Sequence, residues 1–228
     1  MWRDLAVRLV YTSNTLRYAV EGPRILEALS AVPRMELLID AGAGSGPYIR
    51  TVYAGRSRRV LAVEPDERIF SILRKRLAER PDAWQGVRAS ICDMPFPGGI
   101  ADGIACTQVL EHIQDDAAAV AEFARVLKPG GHVLFTVPLA PAPWHDPYHV
   151  REGYTLDGLT RLLAAKGFVR LSEDYFLTSH TQRATEIVRR VFRGYAPRLF
   201  PLAELRLSRQ ERKSSRPYGL LALFRKTR

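Results

Sequence analysis

Cysteine is scarce in this chain: Cys92 and Cys106 are the only two among 228 residues. They form no metal-ligand pattern, and a disulfide-stapled scaffold is excluded as an organising device. There is no run of about 18 apolar residues, so no membrane-spanning helix is expected. The N-terminus has no basic stretch leading into an apolar core, so no secretory signal is expected either. The cytoplasm is the expected compartment. Acidic residues are short in one region only. Residues 183–228 carry 13 Lys+Arg against 3 Asp+Glu, whereas residues 1–182 carry 21 of each. The whole net charge of +10 therefore lies in the last 46 residues. Such a cluster attracts anions, either the phosphates of nucleic acid or anionic lipid headgroups.

What is present is ordinary in bulk and specific in detail. Hydrophobic residues at 46% and charged residues at 25% suit a globular protein, and the length suits one domain over 1–228. The most informative stretch is Leu37-Leu38-Ile39-Asp40-Ala41-Gly42-Ala43-Gly44-Ser45-Gly46. An apolar run ends in an acid, and three glycines follow at alternate positions. That pattern predicts a buried parallel strand, a tight turn and a helix. Glycine admits positive φ and lets a ligand approach without meeting a Cβ. In an open α/β sheet, ligands bind beyond the carboxyl ends of the strands. The order Asp-x-Gly-x-Gly-x-Gly differs from the dinucleotide fingerprint. A carboxylate beside the turn favours a cationic amino group over a pyrophosphate, as in an amino acid joined to a nucleoside.

Strand and helix patterns alternate, which predicts a doubly wound, mainly parallel α/β sheet of seven strands. Strands are expected near 36–40, 59–63, 87–91, 102–107, 132–137, 168–176 and 218–225. Helices are expected near 46–54, 66–80, 115–127 and 156–166, the last capped by Thr155 and closed by Gly167. Lys128-Pro129-Gly130-Gly131 reads as a helix stop.

Asp40-x-Gly42-x-Gly44-x-Gly46 resembles motif I of the class I S-adenosylmethionine-dependent methyltransferases. Val60–Asp66, Val87–Phe96, Ala101–Ile113 with its Leu110-Glu111-His112, and Val126–Pro138 follow in compatible order. Together these stretches resemble the subgroup called methyltransferase type 11, over residues 36–177 and again at the C-terminal strand. The resemblance implies a Rossmann-like fold with an antiparallel last strand, Phe168–Phe176 and Tyr218–Phe224 forming the final hairpin, and S-adenosyl-L-methionine as cofactor. It implies that Asp40, Gly42, Gly44 and Gly46 hold the methionine end and Glu64 the ribose. It implies that Asp93 takes the adenine amino group and the Met94 N–H meets the ring. Gln108 would line the donor site after the fourth strand.

Two segments lie outside this shared core. Residues 1–34 look helical and amphipathic through Leu5, Leu9, Leu16, Tyr18, Ile25, Leu26 and Leu29, and would cover the ligand. Residues 178–216 form a basic insertion before the last strand, far longer than a hairpin loop. Its basic and apolar residues interleave from Ile187 to Arg206. Packing as a roof over the site is one reading. Peripheral contact with an anionic membrane through 181–216, at the inner face, is another. Nucleic acid ranks last, since no recognised binding module is visible.

Methyl transfer from a sulfonium needs alignment and exclusion of water, and a base only where the acceptor must lose a proton. No Asn/Asp-Pro-Pro-aromatic stretch follows the fourth strand, which argues against the common amino-methylating DNA and protein enzymes. A Pro-Cys nucleophile is also missing there. The acid–base candidates are His145 and His149, in Pro143–His149 after the fifth strand, with His112 as another. They point to O-methylation of a small molecule, a sugar or a lipid-linked intermediate such as a glycolipid. His145-x3-His149 is a weak metal pattern for a loop, and no metal is expected. The rival readings are a nicotinamide-dependent oxidoreductase of similar fold, a non-catalytic S-adenosylmethionine-binding protein, and an RNA methyltransferase.

Overall fold

The structure is a computed structural model; it describes residues 10–141, 147–178, 195–197 and 217–227. The strands are β1 (Val10–Thr12), β2 (Met35–Ala41), β3 (Ser57–Val63), β4 (Trp84–Val87), β5 (Ala101–Thr107), β6 (Leu127–Pro138), β7 (Phe168–Thr178), β8 (Tyr195–Pro197) and β9 (Pro217–Lys226). The helices are α1 (Ser13–Ser30), α2 (Glu67–Leu77), α3 (Asp116–Val126) and α4 (Leu156–Ala164). Seven strands form one sheet in the order β4-β3-β2-β5-β6-β9-β7. The first five run parallel, and β9 lies antiparallel between β6 and β7. This is the doubly wound, mainly parallel architecture expected from the alternating pattern.

The central strands read as continuous apolar runs because both faces are covered. One core, with Ile39, Ile104, Phe135 and Phe224, packs under α3 and α4. The other, with Leu38, Ala105, Leu134 and Leu221, packs under α1, α2 and the segment after the glycine turn. Adjacent residues of one strand thus serve opposite cores.

The helix starts follow local chemistry. Asp66 caps α2 by accepting from the backbone N–H of Arg68 and Ile69, and Asp115 caps α3 through the Ala118 N–H. Thr155 caps α4 as expected, and Gly167, at φ +81°, donates to Ala164 O and closes the turn after it.

Four features differ from the sequence-based expectation. The third strand ends at Val87 and does not run to residue 91. Beyond Val63 its neighbour β3 turns away, the Glu64 N–H makes the last bond to Val87 O, and Ser90 then bridges only to Asp93. The expected helix at 46–54 begins as a five-residue π-type turn over Ile49–Tyr53, marked by the Tyr53 N–H to Tyr48 O bond. The helix stops just before Lys128–Gly131 as expected, but this stretch already lies within β6: pairing with β5 starts at Leu127, skips, and resumes at His132. Lastly, the N-terminal segment is not wholly helical. Val10–Thr12, β-branched and aromatic, pairs antiparallel with Tyr195–Pro197 of the insertion. In α1, Val20, Ile25 and Leu29 are buried while Leu26 is exposed. Leu5, Leu9, His145 and the basic residues of the insertion lie outside the described residues.

Candidate functional site

Asp40 is the penultimate residue of β2, flanked in register by Ala62 of β3 and Ala105 of β5. It is 1% exposed, and its Oδ2 has no hydrogen-bond partner. Burial, and next the nearby Glu64 carboxylate, push its pKa from 3.8 up to about 8. A buried carboxylate without a partner is costly. A bound cation placed there would remove the cost.

The chain then bends over the end of β3. Gly42 and Ala43 both donate to Val63 O, at 2.9 and 2.8 Å. Gly42 sits at φ +76°, and a Cβ there would stand 2.5 Å from Val109 Cγ2. The turn after β5 therefore packs directly on the glycine turn. Gly44, at φ +55°, differs: a Cβ would meet nothing within 4 Å. Its open side is room for a ligand against bare backbone.

Glu64 ends the next strand and is latched by backbone. Its Oε2 accepts the Gly44 N–H at 2.9 Å and its Oε1 the Asp66 N–H at 3.0 Å. Each carboxylate oxygen retains a further lone pair for a ligand hydroxyl. Gln108, one residue past β5, is held at φ +55° by donating its N–H to Thr136 O at 2.7 Å. A left-handed glutamine is uncommon and marks a functional position. Its buried Nε2 has no partner. Asp40 and Gln108 thus offer an unpaired acceptor and an unpaired donor around one turn.

Sequence reasoning missed the layer above this turn. Tyr53 is fully buried, and burial, then the Asp40 charge, hold its phenol well above the ordinary value. Glu21 of α1, also buried, accepts the Tyr48 hydroxyl. Tyr48 and Tyr53 could have been flagged as aromatics placed just after the glycine turn. Glu21 gave no signal, because its partner lies 27 residues away.

The adenine expectation meets a different geometry. Asp93 is exposed. The Met94 N–H, expected to face a ligand ring, donates to Glu122 Oε1 at 2.7 Å, and Arg125 binds Met94 O at 3.0 Å. Met94 is thus tied down onto α3.

On the far side stand the histidines. His112 Nδ1 is 2.9 Å from Tyr148 O, and its ring meets the His149 ring edge-on at 4.7 Å. Glu111, 1% exposed, lies beside them, its Oε1 4.0 Å from His112 Nε2. Arg151 clamps this region, donating to Leu110 O (2.9 Å), Ile113 O (2.7 Å), Gln114 O (3.1 Å) and the Tyr154 hydroxyl (3.0 Å). His149 is therefore brought to the cluster; its partner there is His112.

A glycine turn at the carboxyl ends of parallel strands, with an acid at each of two strand ends, is the arrangement of a Rossmann-like fold, in which ligands bind beyond those ends. Residues 39–135 match the family model of a methyltransferase domain. That stretch is similar to the methyltransferase domain of type 11, the resemblance its motifs carry. A probable S-adenosylmethionine-dependent methyltransferase of Mycobacterium tuberculosis is 35% identical over 138 residues, 58% of this chain and 48% of that protein. The chain spans about half the length of the curated relatives it matches. Among solved structures, an S-adenosylmethionine-dependent methyltransferase from Mesorhizobium loti superimposes with a TM-score of 0.64 at 21% identity, over 92% of this chain and 100% of that one. The [4+2]-cyclase SpnF superimposes with a TM-score of 0.63 at 18% identity, over 89% and 80%. These likenesses carry the fold; chemistry must come from the site. No helix among the described residues is long and apolar enough to cross a membrane.

Proposed function

We propose that this chain, acting as a single domain, transfers the methyl group of S-adenosylmethionine to a small-molecule hydroxyl. The observation that carries the reading is the buried Asp40 carboxylate with its unpartnered Oδ2. An α-ammonium supplies the missing charge, and the Gln108 Nε2 supplies a donor for the α-carboxylate. Glu64 has lone pairs for the ribose hydroxyls. The adenine end falls to residues 88–92, which leave β4 beside Glu64, with Asp93 at the outer rim, since the Met94 N–H is engaged elsewhere.

Bound S-adenosylmethionine supplies a methyl group already activated on a sulfonium. The protein's own work is to align, to exclude water and to receive a proton. His112, if its Nδ1 proton points at Tyr148 O, presents Nε2 as an acceptor, with His149 against it. Glu111 and His112 stand three and four residues past Gln108, after the turn whose Val109 packs against Gly42. The histidine pair supports a hydroxyl acceptor. The basic insertion supports peripheral binding to anionic lipid, and with it a glycolipid or other lipid-linked acceptor.

Thermal shift tests the first step. S-adenosylhomocysteine should raise the melting temperature and NAD should not; stabilisation by NAD alone would reject the reading. Turnover with radiolabelled methyl donor separates an enzyme from a binding protein, and label found on nitrogen or carbon would reject O-methylation. Flotation with anionic but not neutral vesicles, lost when a short turn replaces 181–216, is the expected lipid result. Absence of flotation moves the acceptor search to soluble metabolites.

A further inference from the structure

The Glu111, His112 and His149 side chains offer one carboxylate oxygen and two imidazole nitrogens, all within 4.8 Å of one another. From the geometry we infer that these three residues form a binding site for one divalent transition-metal cation on the acceptor side of the pocket. Sequence spacing offered only the pair His145 and His149. The fold adds Glu111 and His112, which lie 37 or more residues away from His149 in the chain.

Three features favour a cation. The donor set is two imidazoles and one carboxylate, which suits zinc, cobalt or iron better than magnesium or calcium. The His112 ring is already oriented by an outer partner, since Nδ1 faces Tyr148 O at 2.9 Å. A hydrogen bond of that kind on one ring nitrogen leaves the other as a metal ligand. Third, Glu111 is 1% exposed and faces two rings that are 4.7 Å apart. A carboxylate and two imidazoles are thus gathered at one point, with the carboxylate out of solvent. Ligand bonds of about 2.0–2.2 Å need donors roughly 3–3.5 Å apart, so the cluster must close by about an ångström. His149, outside helix and strand, is the ligand whose side chain would have to turn. The backbone below it is fixed by the Val150 N–H to Glu111 O bond and by Arg151.

Three protein ligands leave coordination positions open. Two of those ligands, Glu111 and His112, follow the turn whose Val109 packs against Gly42, and the open positions are there for a further donor. An acceptor with one or two oxygen donors, such as a catechol-like diol or an enolised ketone, would fill them. With a cation held there the histidines would be ligands and not proton acceptors, and the coordinated acceptor hydroxyl, made more acidic, would give its proton to solvent. The class of acceptor rests on the methyltransferase reading; the cation site does not.

The test is cobalt(II) titration of the full chain without methyl donor, followed by visible d–d absorption. One equivalent should bind, and zinc(II) should displace it. Glu111→Gln, His112→Gln and His149→Gln should each weaken binding at least 10-fold. Far-UV dichroism and the S-adenosylhomocysteine thermal shift should remain in the His149→Gln protein, whose altered side chain is on a loop. No saturable binding, or binding unchanged in the His112 and His149 variants, overturns the inference. A cobalt site with no S-adenosylhomocysteine shift keeps the cation site and rejects the methyltransferase reading. The reverse result rejects the cation site alone.

Discussion

The two sides of the proposed site are built differently. The proposed donor side is local in sequence. Asp40, the glycine turn and Glu64 lie within 25 residues, and backbone bonds from Gly42, Ala43 and Gly44 tie them together. The acceptor side is assembled from residues far apart. Arg151 holds carbonyls 37 to 41 residues away, and His112 meets the Tyr148 carbonyl across 36. A locally latched site suits a ligand that never changes. A site made of separate loops can be re-shaped one loop at a time while the donor side keeps its geometry.

Breaking the donor side should cost most. Gly42→Ala forces a side chain into positive φ and against Val109, for about 3 kcal/mol of strain and overlap combined. Chemical denaturation should show the loss, and S-adenosylhomocysteine binding should fall with it. Asp40→Asn removes the charge partner of the ammonium. Calorimetry should show binding weakened roughly 10- to 100-fold, the worth of one charged hydrogen bond. Unchanged affinity would remove Asp40 from the site.

The acceptor side should respond separately. Arg151→Met removes the clamp on Leu110 and Ile113 and should cost about 2 kcal/mol of stability. The expected signature is methyl transfer reduced with S-adenosylhomocysteine affinity retained. Equal loss of both would show that the two sides are one unit.

A pH dependence should also appear, confined to the donor side. The Asp40 carboxyl ionises at about 8 when folded against an ordinary 3.8. The folded chain therefore holds the extra proton between those values, and stability falls as pH rises from about 4 to about 8. Asp40→Asn should flatten that slope. In the wild type, ligand binding near pH 7 should release a proton, visible as a buffer-dependent heat.

Asp40, Gly42, Gly44 and Glu64 were legible because each obeys a local rule: an acid at a strand end, or a glycine where a turn needs positive φ. Thr155 and Gly167 were legible for the same reason. Met94 was not. Whether its N–H faces a ligand or Glu122 depends on where α3 lands, and no pattern around residue 94 carries that. The π-type turn at Ile49–Tyr53 escaped too, since its register follows packing under α1. Pairing of Val10–Thr12 with Tyr195–Pro197 joins segments that periodicity treats as unrelated.

The sequence by itself determined the alternation of strands and helices, the glycine turn and the acids beside it, because hydrophobic period and backbone preference act over a few residues. Only the tertiary structure decided that Asp40 is stripped of water, that Gln108 is held left-handed with an unpaired amide, and that Glu111, His112 and His149 share one corner. Desolvation and juxtaposition are properties of the packed chain: they depend on which distant surfaces meet.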